Sequence, residues 1–267
     1  MKKLIFAAAA IAAGVAMADV TSSNVVGYSP VAVSNQYTMI GLNWETVGAA
    51  EMAINDLFGK DQLVAGANVN AADQIQVWNG TEFEVYFFKA KKTSGAGKFT
   101  YENSWVKSSA ATVPTTDTIP AGTGFWFKRY GDTNRTLVLN GGVKGVTNEK
   151  AITSTYTMMG SAFPCDVILN GTDTNPSLFD WKNCSCAGAN VNAADQIQVW
   201  NGTEFEVYFF KAKKTSGAGK FTYENSWVKS SAATVPTTDT IPAGKGFWYK
   251  RYGETTTKLV ENSPIAK

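Results

Sequence analysis

Asp73 to Phe88 reads DQIQVWNGTEFEVYFF, and Asp195 to Phe210 spells the same residues again. Ile75 and Val77 alternate with Gln74 and Gln76 before Asn79-Gly80, and Phe83, Val85 and Phe87 alternate with Glu82, Glu84 and Tyr86 after it. A period of two on both sides of an asparagine-glycine pair is the pattern of a β-hairpin. A two-residue turn would set Val77 opposite Glu82 and mix apolar with charged residues on each face. A three-residue loop, Trp78-Asn79-Gly80, with Gly80 as a left-handed bulge, pairs Val77 with Thr81 and Ile75 with Phe83. That register predicts a dry face carrying Phe83 and Phe87, and a wet face where Tyr86 and Phe88 lie beside Gln74, Gln76 and Glu84.

The copying extends well beyond the hairpin. Ala65 to Gly131 recurs as Ala187 to Gly253 with identity at 65 of 67 positions, the exceptions being Thr123/Lys245 and Phe127/Tyr249. Tyr37 to Gly41 (YTMIG) returns as Tyr156 to Gly160 (YTMMG) at an offset of 119, against 122 for the main block, so a net three residues are gained between them. Two copies of one module follow, with expected bounds 19–140 and 141–267. The first copy holds short β-prone runs, among them Asn24 to Val33, Tyr37 to Trp44, Phe99 to Val106, Gly124 to Tyr130 and Arg135 to Leu139. Val47 to Phe58, with Ala50, Ile54 and Leu57 at helical spacing and Gly59 as a stop, predicts one minor helix per module. The expected fold class is all-β: two tandem small sandwiches or barrels.

Residues 1–18 have Lys2 and Lys3, an apolar run from Leu4 to Val15, and Ala16-Met17-Ala18, the pattern of a secretory signal peptide cut before Asp19. The apolar run is too short for an ordinary membrane span, so the mature chain is expected to be exported and not membrane-spanning: periplasmic, surface-bound or extracellular. Without the leader's two lysines, basic and acidic residues balance at 22 each, which speaks against nucleic acid as a partner. The chain has no histidine, and that excludes Ser-His-Asp and Cys-His catalysis and histidine-ligated metals. No cofactor and no enzymatic activity are expected.

The order G-Y, Y-T-M-x-G, D-x-I-x-V-W-N-G-T-x-F and I-P-A-G-x-G-F-W-x-K resembles an uncharacterised β module found, often in several copies, in secreted and surface proteins of Gram-negative bacteria. Threonine stands where the family's first motif usually has asparagine. The resemblance implies architecture and export, and no active site.

The candidate ligand-binding set is Tyr86, Phe88, Trp105 and Trp126, with Tyr208, Phe210, Trp227 and Trp248 as its second copy; Trp78 and Trp200 accompany them. Rings flanked by amides and carboxylates stack on sugars; packing of the same rings against a helix, a strand or the other module is the commoner role. The lysines of 89–98 and 211–220 suit an acidic polysaccharide or a solvated loop. Asp73, Glu82, Glu84 and Glu102 are the carboxylates available for a glycosidase pair, which needs a cleft. Cys165, Cys184 and Cys186 occur only in the second module, and Cys165 with either of the others is a plausible disulfide. The expectation is a non-catalytic exported structural or adhesive protein, its partners polysaccharide or other envelope proteins, with glycan binding through wet-face aromatics as the alternative.

Overall fold

The computed structural model describes residues 25–90, 102–152, 156–213, 225–253 and 257–265. The signal-peptide reading of residues 1–18 and most of the two lysine loops lie outside the described residues. The first module runs β1 (Val26–Val33), β2 (Tyr37–Gly41), β3 (Glu51–Ala53), β4 (Gln74–Trp78), β5 (Phe83–Lys89), β6 (Ser104–Lys107), β7 (Thr118–Pro120), β8 (Gly124–Lys128) and β9 (Arg135–Gly142). The second runs β10 (Asn148–Ile152), β11 (Tyr156–Met159), β12 (Val167–Ile168), α1 (Trp181–Cys184), β13 (Gln196–Trp200), β14 (Phe205–Lys211), β15 (Ser226–Lys229), β16 (Thr240–Ile241), β17 (Phe247–Lys250) and β18 (Thr257–Glu261). The chain is all-β, built as two sandwich-like modules. Each has a five-stranded antiparallel sheet, in the order β2-β8-β4-β5-β6 or β11-β17-β13-β14-β15. Two ribbons, β1-β9 with β3-β7 and β10-β18 with β12-β16, complete each module.

The hairpin is longer in its loop than its alternation predicts. Trp78 pairs with Phe83, Val77 with Glu84 and Ile75 with Tyr86, so four residues make the turn. Asn79 builds it: its Oδ1 accepts from the Thr81 and Glu82 N–H groups at 3.0 Å each, while Gly80 takes a φ of 107° that a side chain would oppose. The register therefore differs from the bulge reading, and the faces are redistributed. Ile75, Val77, Glu84, Tyr86 and Phe88 share one face; Gln74, Gln76, Trp78, Phe83, Val85 and Phe87 share the other.

The first of these faces is the core. Ile75, Tyr86, Phe88, Trp105, Phe125 and Phe127 pack under Met52 and Ile119 of one ribbon and Val33, Leu137 and Leu139 of the other. The second module repeats the arrangement around Ile197, Tyr208, Phe210, Trp227, Phe247 and Tyr249. The helix expected over Val47–Phe58 is not there. Ala50 is exposed, while Met52 and Ile54 are buried two apart, and that shorter period places Glu51–Ala53 as β3 against β7. A single 3-10 turn follows at Ile54–Asp56. The only α-helix among the described residues is the one-turn α1, in the second module.

The edge strands are covered by asparagines. Asn55 Oδ1 accepts from Trp105 N at 2.8 Å and Thr115 N donates to Trp105 O; Asn170 and Thr237 do the same for Trp227. Both outward groups of each edge residue are thus spoken for, and the edge cannot recruit another strand there. Asn55 and Asn170 also align the diverged segments. Eight residues separate Asn55 from Val64, and fifteen separate Asn170 from Cys186. The net gain of three residues is in fact a loss of four before the asparagine and a gain of seven after it.

Candidate functional site

The candidate aromatics fall into two groups. Tyr86, Phe88 and Trp105 are 2%, 1% and 1% exposed, and their copies Tyr208, Phe210 and Trp227 are likewise buried in the second core. This corrects the wet-face reading: the four-residue turn points Tyr86 and Phe88 inward, where no sugar reaches them. Trp126 and Trp248 lie on the opposite face of their sheets, and there the two modules meet.

The seam is nearly symmetric. Trp126 contacts Trp200 edge to face at 5.9 Å between ring centres, and Trp78 contacts Trp248 at 5.7 Å. Phe205 lies 6.3 Å from Trp126, and Phe83 lies 6.1 Å from Trp248. Tyr37 and Tyr156 close the two ends, each 5.9 Å from its own module's tryptophan. Edge-to-face pairs of this kind contribute about 0.5–1.5 kcal/mol each beyond the area they bury. Backbones meet as well: Gly41 N donates to Gly244 O at 2.9 Å, Gly160 N to Gly122 O at 3.1 Å, and Gly246 N to Met39 O at 3.2 Å. A Cβ on Gly160 would stand 2.4 Å from the Gly41 Cα, so glycine is required in both YTM-x-G motifs for the strands to approach. The tyrosine and glycine of each YTM-x-G motif and the tryptophans of the W-N-G and G-F-W motifs lie in the seam, while Ile75, Phe125 and their copies serve the cores.

No family model, curated protein or solved structure matches the chain.

The two differences within the copied block are explained by their surroundings. Thr123 Oγ1 lies 3.2 Å from Lys150 Nζ, so a lysine at 123 would set two ammonium groups together; its counterpart Lys245 is half-buried, and burial pushes its pKa down. Phe127 and Leu63 both belong to the first core, whereas at the matching positions of the second Tyr249 and Ser185 are joined by a hydrogen bond of 3.0 Å. The Tyr249 hydroxyl donates to Asp195 at 2.7 Å. Asp195 also accepts from Arg251 Nη1 at 2.6 Å, Tyr252 N at 2.6 Å and Cys186 N at 2.8 Å. In the first module Asp73 holds Arg129, Tyr130 N and Val64 N without a tyrosine. Tyr249→Phe is expected to lower stability by about 1.5–3 kcal/mol, the value of a hydrogen bond to a charged group, read from urea unfolding. An unchanged midpoint would mean that the hydroxyl contributes nothing there.

Of the carboxylates, Asp73 is wholly buried with Arg129 and unavailable to substrate. Glu84 and Asp117 converge on Tyr86, whose hydroxyl donates to Asp117 at 2.6 Å and lies 3.0 Å from Glu84. Lys107 Nζ sits 3.0 Å from Glu84 and 3.7 Å from Asp117. The Lys107 hydrogen bond holds Glu84 below its usual pKa, and the Tyr86 hydroxyl does the same for Asp117. Both groups are therefore ionised near neutrality, and neither is the proton donor that glycoside cleavage needs. Glu206, Asp239, Tyr208 and Lys229 repeat the cluster. Cys165, Cys184 and Cys186 are free thiols, so the expected disulfide is not formed; burial raises the pKa of Cys165 and Cys184, which makes both poor nucleophiles.

A feature with no counterpart in the sequence reading is a cleft of about 580 Å³ in the second module. Its wall is the segment that gains seven residues, and its lining includes Asp173, Ser177, Asp180, Trp181, Asn225 and Asn262.

Proposed function

We propose that the chain is a non-catalytic, exported structural or adhesive protein of the cell envelope or extracellular matrix, acting as one rigid body made of two modules. The observation that carries this reading is the aromatic seam. Side chains that would otherwise offer an open stacking surface join one module to the other, and the backbone hydrogen bonds beside them fix the angle between the sheets. Covered edge strands suit a protein that must stay folded at high local concentration without adding strands from its neighbours. The resemblance of its motifs to the repeated module of Gram-negative surface proteins supports the same reading, as does the leader-like start of the chain.

The test is cellular. Fractionated cells producing the chain are expected to hold it in the envelope or release it, with Asp19 as the new N-terminus. Deleting the chain is expected to reduce attachment to a surface or resistance of the envelope to detergent, with rescue by the wild type and not by Gly160→Ala. A cytosolic chain with its leader intact, or deletion cells that match the parent in both assays, would overturn the proposal.

A further inference from the structure

We propose that the cleft of the second module is a binding site for a neutral oligosaccharide, a role separate from the seam and not dependent on the structural reading above. The two modules are near-copies everywhere that the 122-residue offset holds, yet the loop between Asn170 and Cys186 is fifteen residues where its sibling has eight. The longer loop makes a cleft of about 580 Å³, within the size range of small-ligand pockets, roughly 300–1,000 Å³.

The chemistry of the walls selects the ligand class. At the base of the cleft Trp181 stacks on Phe179 at 4.5 Å and 25°, an apolar floor. Two polar atoms of the longer loop have no hydrogen-bond partner among the described residues, Trp181 Nε1 and Ser177 Oγ; Ser226 Oγ beside them is unpaired too, as is its copy Ser104 Oγ in the first module. Trp181 and Ser226 are only 4% and 8% exposed. Enclosed polar atoms of this kind cost roughly 1–3 kcal/mol each when unpaired; they lie just beneath the cleft surface, so a ligand reaches them by a small shift of the longer loop, and it must offer both an acceptor, for the indole N–H, and groups that donate or accept, for the hydroxyls. Sugar hydroxyls do both. The rim adds Asn225 and Asn262 amides and the Asp173 and Asp180 carboxylates, with Lys182 as the one cation among the lining residues; this balance disfavours an anionic ligand. An extended peptide is disfavoured too, because the Trp227 backbone beside the cleft already bonds to Asn170 and Thr237 and cannot accept an added strand.

The test titrates the full mature chain with cellohexaose, maltohexaose, xylohexaose, mannohexaose and chitohexaose by calorimetry. At least one is expected to bind with a Kd in the millimolar range or below. Asp173→Ala combined with Asn262→Ala is expected to weaken it about tenfold or more. Both residues are exposed, so the fold should survive, and an unchanged thermal melt verifies that. Glu82→Ala, on the exposed turn of the first module, is expected to leave binding unchanged. The proposal is overturned if none of the five binds at about 10 mM, if binding survives the double substitution, or if only a peptide or an anionic polysaccharide competes for the cleft.

Discussion

Gly160→Ala is expected to separate the two modules. The added methyl would lie 2.4 Å from the Gly41 Cα and 3.2 Å from its carbonyl carbon, and both neighbours are main chain, so no rotamer change relieves the clash. Gly41→Ala meets the same obstacle from the other side, 2.9 Å from both the Gly160 Cα and the Lys245 carbonyl oxygen. Overpacking a close-packed contact typically costs about 1–3 kcal/mol, and here the strands must part, which also loses the hydrogen bonds of Gly41, Gly160 and Gly246 and the four cross-module ring contacts. The combined expectation is a loss of about 3 kcal/mol or more of coupling between modules. Solution scattering would show a larger radius of gyration, and tryptophan emission would shift red as Trp78, Trp126, Trp200 and Trp248 meet water. Gly202→Ala is the control: its φ of 111° strains any replacement, but no atom stands near its Cβ position, so it should weaken one hairpin and leave the seam closed. Identical scattering and emission for wild type and Gly160→Ala would show that the seam does not hold the modules together.

The duplication, the all-β class and most strands were legible because they follow from local alternation and literal copying. The faces were not, for two physical reasons. Assigning Phe83 and Phe87 to the core assumed one dry and one wet face per sheet, whereas this sheet is covered on both: the module's ribbons lie on one side, and the sibling module shares the other with a small cluster around Phe87 and Val106. The Asn79 side chain then adds a residue to the turn and reverses the placement of Tyr86. Ala50, Ile54 and Leu57 at helical spacing predict a helix over Val47–Phe58, but Ala50 is exposed and Met52, two residues from Ile54, is buried in its place. The cleft was hidden in arithmetic: a loss of four residues and a gain of seven appear in the sequence as a gain of three. A signal was available in the block NGTDTNPS at 170–177, a run of turn formers with no equivalent in the first module.

Glu261→Gln is expected to remove most of a stability change between pH 4.5 and 7. Glu261 is 0% exposed and stands where the first module has Leu139, as the pairing of β10 with β18 and of β1 with β9 shows. Burial pushes its pKa from 4.5 to about 7, against the pull of the Ser161 hydroxyl, the Ala162 N–H at 2.9 Å and the Asn148 amide. Below pH 4.5 the carboxyl is neutral in both folded and unfolded chains, and its contribution is intact. As pH rises, the unfolded chain ionises first and gains stability relative to the fold, until the folded carboxyl also ionises near 7. Stability therefore falls by about 3 kcal/mol across that window and levels off above it. Lys150, pushed down to about 8 by burial and partly restored by Glu261, acts in a different range: its contribution is present above 10.5 and lost as pH falls through 8. Asp73 is also raised by burial and adds a slope of the same sign from below, so the decisive quantity is the difference between variant and wild type. A glutamine keeps an oxygen to accept from Ala162 N and carries no charge to desolvate. Urea unfolding at pH 5 and pH 8 should give two values close together for the variant and well apart for the wild type. Parallel pH profiles would mean that Glu261 keeps an ordinary pKa in the fold, and that water or movement of the strand relieves its burial.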